Sequence, residues 1–279
     1  MTSASALTLG TPSPSAQQSN IGAKFWPSAA AVAKRTLRKF VRTPQLIVLT
    51  TVQSTVWLLI FRYIFGGAIS IAGLSYVDFL VPGVVATMTL WSGMGAAAGV
   101  AEDLDQGFFD RLRSLPIPRS AILAGRCLAD TALVTWALAV AAAIGFAIGF
   151  RPGGSVADAL AAFGLCVVFG FALEWVFVTI GLIAGNAQAA QGMSMVILPF
   201  TFVSSAFVPI SSMPGWLQAL GNHQPITPMV DAVRSLTAGS HAQALLPHST
   251  SYYVTSSLIW STGIVIVFGL LSVLRFSKR

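Results

Sequence analysis

Residues 102–119 read EDLDQGFFDRLRSLPIPR and form an island of charge in a chain in which only 9% of residues are charged. Four acids come first and three arginines follow, namely Glu102, Asp103, Asp105, Asp110, Arg111, Arg113 and Arg119. This order complements a helix macrodipole. Apolar residues within the stretch recur at spacings of four, four and three, which predicts one face of a short amphipathic helix; they are Leu104, Phe108, Leu112 and Leu115. Pro116 and Pro118 are expected to end that helix, and a solvated loop is the alternative.

The rest of the composition describes a membrane protein. The 279 residues are 55% hydrophobic and their mean hydropathy is +0.77, which indicates an all-α integral membrane protein. The net charge of +7 agrees with an excess of cytoplasmic Lys and Arg, so no nucleic-acid partner is expected. Cys127 and Cys166 lie in apolar segments and predict no disulfide.

The N-terminal part divides into two segments. Residues 1–22 are rich in Ser, Thr, Ala, Gln and Pro and predict a disordered tail. Residues 23–43 predict an amphipathic helix in the membrane interface, with the apolar face facing lipid and cations against anionic head groups. The apolar residues at helical spacing are Trp26, Ala30, Ala33, Leu37 and Phe40, and the main cations are Lys34, Arg35, Arg38 and Lys39.

Residues 44–279 are predicted to form a domain of six transmembrane helices. Its apolar stretches are at about 46–66, 77–100, 121–149, 158–184, 190–210 and 252–274. Thirteen of the sixteen Lys and Arg would then lie on one side, six in residues 24–42, four in 111–126 and three in 275–279. Both termini and residues 102–119 are therefore predicted to be cytoplasmic.

Polar groups at membrane depth are candidate functional residues. Asp130 follows Arg126 by four residues, which predicts an ion pair on one helix face. Glu174 has no such neighbour near the middle of the fourth span, where an isolated carboxylate costs several kcal/mol. We expect it to face the bundle interior, toward a polar cavity or a partner helix, or to be protonated. Hydrogen bonding to a neighbouring helix and a position near a transport path remain equal alternatives.

The segment at about 211–251 is too apolar for a solvated loop and predicts two short re-entrant helices on the outer side. Its three histidines are irregularly spaced, so no metal site is predicted; they are His223, His241 and His248. The chain contains neither a GxxxxGK[ST] phosphate loop nor an HExxH motif. Energy for directed work would have to come from another protein.

The order of these features resembles the permease subunit of ABC-2 type exporters, especially the daunorubicin-resistance class of actinobacteria. The matching motifs after the second span are Glu102, Gly107, Arg111-Leu112-Arg113, Leu115-Pro116, Arg119 and Gly125. Those before the last span are Asn222 to Pro225, Pro228, Arg234 and Gly239. The resemblance covers roughly residues 30–275.

The resemblance implies a half-transporter in the bacterial inner membrane. A second permease chain, identical or related, and separate ATPase subunits that bind ATP and Mg would complete it, and this chain would hold no cofactor of its own. Residues 102–113 would be the cytoplasmic coupling helix, with contacts to the ATPase from Glu102, Asp105, Phe108, Arg111 and Arg113. The chain itself would not be an enzyme.

The resemblance also implies an amphipathic drug, a polyketide or a lipid as substrate, along an apolar path for which Trp57, Met88 and Trp91 are candidates. An ion-coupled secondary transporter, or a membrane scaffold without an ATPase, is the alternative function. An ion-coupled carrier normally has several intramembrane carboxylates and internal repeats, which this sequence does not show.

Overall fold

The computed structural model describes residues 24–65, 76–113, 117–239 and 246–278, and these residues form helices and connections without a strand. The predicted disordered tail at 1–22 lies outside the described residues, as do Leu115, Pro116 and His241. The long helices are α1 Phe25–Arg42, α2 Pro44–Ile60, α3 Tyr76–Asp105, α5 Arg119–Ala147, α6 Val156–Ala184 and α11 Thr250–Lys278. The shorter ones are α4 Phe108–Arg113, α7 Ala187–Ser194, α8 Leu198–Phe202, α9 Gly215–Asn222 and α10 Ile226–Ala238.

Among the described residues, four helices are long and apolar enough to cross a membrane: α3, α5, α6 and α11. The predicted first span corresponds to α2, which has 17 residues and continues into a π-helical turn at Phe61–Phe65. The predicted fifth span is not one continuous helix. It divides into α7, a 3₁₀ turn at Met195–Ile197 and α8, where Pro199 occupies the first turn.

The predicted amphipathic helix at 102–115 is also divided. Glu102 to Asp105 are the last turn of α3, and α4 begins separately at Phe108. Between them Gly107 has φ of +64°, a left-handed conformation that glycine adopts without a steric penalty. The apolar face is nevertheless continuous across Gly107, because Leu104, Phe108 and Leu112 all pack against the same buried cluster.

The centre of the bundle is the contact between α3 and α6. A Cβ atom on Gly181 would lie 2.5 Å from the Ala97 carbonyl oxygen, and one on Gly93 would overlap the Phe177 ring. Small residues therefore allow the two helix backbones to approach closely. Gly185, four residues after Gly181, has φ of +83° and ends α6, and a Cβ atom there would meet no other atom within 4 Å.

Helix α1 packs along α5 through a face that coincides only in part with the predicted apolar face, since Phe40, which the periodicity assigns to the lipid-facing side, is buried. Its buried residues are Ser28, Ala29, Val32, Thr36 and Phe40. A Cβ atom on Gly125 of α5 would overlap the Ala29 carbonyl oxygen, so this contact depends on glycine. Trp26 is 71% exposed on another side of α1, where the interfacial prediction places it in lipid.

The two short helices predicted between residues 211 and 251 are present as α9 and α10. Twelve of the thirteen residues of α10 are buried, against α3, α6 and α11. A hydrophobic helix surrounded on all sides needs protein neighbours rather than water. Its re-entrant position in a bilayer remains a prediction.

Candidate functional site

Three charged segments meet at one end of the bundle, and we call this surface the basic face. It consists of α1, residues 102–113 and the end of α11 at residues 275–278. The Arg35 guanidinium carbon lies 3.6 Å from the centre of the Phe108 ring, and Lys39 Nζ lies 3.9 Å from Asp103 Oδ1. Arg119 donates to the Ser277 carbonyl, while Phe109 packs edge-on against Phe276. The contacts join segments that are far apart in the sequence.

The predicted coupling residues lie on this face. Glu102 and Asp105 are exposed at the end of α3, and Arg111 is exposed on α4, where it donates to the Gln106 carbonyl. Phe108 is half-buried beneath Arg35. Arg113 is the last residue of α4. The four predicted interfacial cations are exposed on α1: Lys34, Arg35, Arg38 and Lys39.

A buried ion cluster lies just inside the basic face. Arg126 Nε donates to Asp130 Oδ2 at 2.6 Å, which is the pair that the spacing predicts. Arg126 Nη1 also donates to Asp103 Oδ2 at 2.6 Å, which joins α5 to α3. All three residues are less than 7% exposed. One guanidinium therefore bridges two carboxylates, with Lys39 at the edge of the cluster.

The second bond of Arg126 was not predicted, although the sequence carries a signal for it. Asp103 follows the buried residues Ala96 and Val100 at spacings of four and three, so it shares their inward face of α3. Its acidic neighbours Glu102 and Asp105 suggested a solvated surface. The α3–α6–α5 arrangement, which is not evident from the sequence, is what brings Asp103 and Arg126 together.

Glu174 lies inside the bundle and is 1% exposed, which agrees with the expectation that it avoids lipid. Its Oε2 atom has no hydrogen-bond partner among the described residues. The side chain lines a cavity of about 600 Å³, together with Asp103, Arg126 and Asp130. This volume is within the range of small-molecule sites. The cavity mouth includes Lys39 and Glu102 of the basic face.

The three residues predicted for a substrate path lie close together. Met88 and Trp91, both on α3, line the same cavity as Glu174. Trp57 of α2 packs against Trp91, with ring centroids 5.2 Å apart. The lining of the cavity thus combines Met and Trp side chains with charged groups from α1, α3, α5 and α6. Such a combination suits a molecule with an apolar body and one polar group.

A second buried network lies at the opposite end of the bundle and was missed in the sequence. Arg234 is 1% exposed and bonds to Asp231 at 2.9 Å and to the Ser205 carbonyl at 2.9 Å. It also stacks on Phe79 at 3.8 Å. Burial raises the pKa of Asp231, and burial lowers the pKa of Arg234 to about 10, so the guanidinium is charged at neutral pH.

Within the described ranges, no three His, Cys, Asp or Glu side chains are grouped so that they could hold a metal ion. Two of the acids that line the cavity, Asp103 and Asp130, are bonded to the Arg126 guanidinium.

Comparison with known proteins agrees with this architecture. Residues 28–237 match the family model described as ABC-2 type transporter. The chain is 34% identical to the daunorubicin resistance ABC transporter permease protein DrrB1 of Streptomyces coeruleorubidus. The 211 aligned residues make up 74% of this chain and 73% of that protein. It is 27% identical over 206 residues to the probable doxorubicin resistance ABC transporter permease protein DrrC of Mycobacterium tuberculosis, covering 71% of this chain and 72% of that protein.

A more distant similarity extends to Escherichia coli. The probable multidrug ABC transporter permease YbhR of that organism is 28% identical over 166 residues, which cover 58% of this chain and 44% of YbhR. The matched region includes most of α1, residues 102–113, the ion cluster and α10 up to Thr237. The chain belongs to the ABC-2 type transporter family and is a multipass membrane permease of the daunorubicin-resistance-like class.

Proposed function

We propose that this chain is the transmembrane subunit of an ATP-driven exporter in the bacterial inner membrane. Two permease chains, identical or related, would form the pathway, and separate ATPase subunits would bind ATP and Mg and supply the energy. The substrate would be an amphipathic drug, a polyketide or a lipid that leaves the cytoplasm or the inner leaflet. The relatives named for daunorubicin and doxorubicin resistance support this class of substrate.

The observation that carries the proposal is the basic face. Cytoplasmic segments of membrane proteins carry an excess of Lys and Arg, so the cations of this face support a cytoplasmic position for this end of the bundle. Both termini would then lie on the cytoplasmic side. Arg151 and Arg234 lie at the opposite end, where Arg151 caps carbonyls at the end of α5 and Arg234 is buried in α10. In this orientation α2 and the segment from α7 to α8 are the remaining two of six spans.

The geometry of the basic face supports a route for motion. The 30 residues of α3 run without interruption from Tyr76 to Asp105. An ATPase that contacts Glu102, Asp105, Phe108, Arg111 and Arg113 would therefore act directly on the helix that lines the cavity. Gly107 allows α4 to turn away from the α3 axis. Displacement of the end of α3 would reach Trp91 and Met88 through one rigid helix.

Charge reversal at Arg111 tests this coupling. We expect Arg111→Glu to lower ATP-dependent export by about tenfold or more, because a reversed charge at an interface opposes docking of the partner. Export into inverted vesicles and co-purification of the ATPase are the measurements. Arg111→Lys, which keeps the charge, is the matched control and should retain most of the activity.

The size-exclusion profile of both variants should match that of the original protein, since Arg111 is exposed. Normal export by Arg111→Glu would contradict the coupling role. Export that persists with no ATPase subunit present would favour the ion-coupled alternative.

A further inference from the structure

A second cavity, of about 710 Å³, lies at the end of the bundle opposite the basic face, and we call it the distal cavity. Its lining comes mainly from α9, α10 and α11, with Phe79 from the start of α3. It shares no lining residue with the cavity that contains Glu174. Phe79 of one cavity and Trp91 of the other are twelve residues apart on α3, which is about 18 Å along the helix axis. The distal cavity is therefore a separate site.

The charged side chains that line the distal cavity neutralise each other. In the described part of its lining, Asp231 and Arg234 form an ion pair at 2.9 Å. Arg234 also donates to the Phe79 and Ser205 carbonyl oxygens, so its guanidinium is held within the protein. A phosphate ligand would need a free cation, and an amine would need a free carboxylate. The cavity therefore favours a ligand without a net charge.

Three further polar side chains of the lining offer hydrogen-bonding capacity to such a ligand. Thr227 Oγ1 is buried and has no partner among the residues that the structure describes. His223 Nδ1 donates to the Ala219 carbonyl at 2.8 Å, so Nε2 of the neutral ring is an acceptor. Gln218 Nε2 donates to the Met213 carbonyl at 2.8 Å, which leaves Oε1 as an acceptor. A neutral ligand with several hydroxyl groups can satisfy all three side chains.

Aromatic rings give the same cavity an apolar surface. Tyr252 is 51% exposed, and its ring centroid lies 4.4 Å from that of His248. Tyr253, Ser256 and Trp260 follow one another on α11 at spacings of three and four, so they share the helix face that lines the cavity. Exposed rings beside hydrogen-bonding groups suit a ligand that has both C–H surface and hydroxyls.

We propose that the distal cavity binds a neutral glycosyl group. A pyranose ring packs its C–H groups against an aromatic ring, and its hydroxyls both donate and accept hydrogen bonds. Thr227 bonds one hydroxyl in the buried part of the site, while Gln218 and His223 accept from others. The volume is within the range of small-molecule sites. The inference goes beyond the proposed export function, because it assigns a second site and does not depend on ATP-driven transport.

A fluorescent glycoside and its per-O-methylated derivative provide the test. The full-length protein is reconstituted in phosphatidylcholine nanodiscs, because many detergents carry sugar head groups that would compete. 4-Methylumbelliferyl β-D-glucoside has four hydroxyls, and the methylated compound keeps the ring but has no donor. We expect the glucoside to bind at least about tenfold more tightly, since several hydrogen bonds are lost in the methylated compound. Titration by fluorescence anisotropy gives both dissociation constants.

Competition with methyl β-D-glucoside separates recognition of the sugar from recognition of the attached aromatic group. This compound has no aromatic group and should displace the fluorescent glucoside if the glycosyl group itself is bound. Failure to displace it would mean that the aromatic group alone is recognised, and the proposal would be wrong.

The variant Thr227→Val keeps the size of the side chain and removes the buried hydroxyl. It should lower the affinity for the glucoside by about tenfold, while the unfolding temperature stays the same or rises, because this hydroxyl has no partner among the described residues. Thr201→Val is the matched control. Thr201 Oγ1 is also buried and unpartnered in the described part of the chain, but Thr201 does not line the cavity. This variant should bind the glucoside as the original protein does.

Equal binding of the glucoside and its methylated derivative would overturn the proposal. So would full glucoside affinity in Thr227→Val, which would mean that the Thr227 hydroxyl does not contact the ligand. Neither result bears on the ATP-driven export function, which is tested separately by the effect of Arg111→Glu on export. Loss of that coupling effect would leave glucoside binding at the distal cavity unchanged.

Discussion

The two buried ion networks of this bundle have the same parts but differ in completeness. At the end opposite the basic face, Arg234 pairs with one carboxylate, that of Asp231. It also donates hydrogen bonds to the Ser205 and Phe79 carbonyl oxygens. Near the basic face, Arg126 serves two carboxylates, and the third acid of the cavity, Glu174, stays unpartnered among the described residues. One network is satisfied within the protein, and the other has spare acceptor capacity.

This difference has consequences for the stability that each network provides. A buried charge whose hydrogen bonds are all made within the protein fixes the helices that supply its partners. The Arg234 network ties α10 to the start of α3 and to the connection that contains Ser205. A network with an unpartnered carboxyl group instead contains a buried acceptor that the protein itself does not satisfy. Replacing Arg126 or Arg234 should therefore lower the unfolding free energy, whereas replacing Glu174 by its amide should raise it.

The largest effect is expected from Arg126→Met. This substitution leaves Asp103 and Asp130 buried without their shared cation, which costs about 3–5 kcal/mol of unfolding free energy. Thermal unfolding of the purified protein in detergent measures the loss. The triple variant that also carries Asp103→Asn and Asp130→Asn removes the stranded charges and should recover most of the stability. Near-normal unfolding of Arg126→Met would show that the two carboxylates do not depend on it.

A smaller loss is expected from Arg234→Met. It leaves only the Asp231 carboxylate without its cation, and Asp231 still accepts the hydrogen bond from Ser205 at 2.7 Å. The expected cost is about 1.5–3 kcal/mol, the range for a hydrogen bond to a charged group. The same unfolding assay compares it with Arg126→Met. An equal or greater loss would contradict the ranking of the two networks.

The sequence predicts the long helices of this protein better than their interruptions. Apolar stretches of sufficient length locate α3, α5, α6 and α11, because lipid requires continuous helices of about 20 apolar residues. The division of the fifth stretch into α7 and α8 is not visible in hydropathy, since its residues are apolar on both sides of Pro199. Nor does periodicity show the turn at Gly107, which leaves the apolar face of 104–112 intact.

The candidate site was predictable only where it depends on local spacing. The pair of Arg126 and Asp130 is predicted because side chains four residues apart on a helix are neighbours. The participation of Asp103 depends on how α3 and α5 pack, which pairs residues 23 positions apart. For the same reason, the α1 face that contacts Gly125 escaped detection, because its residues are mostly small or polar and do not produce an aromatic stripe. Tertiary packing determines these contacts, and a single sequence contains little information about it.

The smallest effect, and the one of opposite sign, is expected from Glu174→Gln. Removing an unpartnered buried charge should raise the unfolding free energy by about 1 kcal/mol in the absence of ligand, because an amide is less costly to bury than a carboxylate. Thermal unfolding of the purified protein in detergent measures the change. If Glu174→Gln instead destabilised the ligand-free protein, Glu174 would be part of the structural network around Arg126, and the contrast between the two ends of the bundle would not hold.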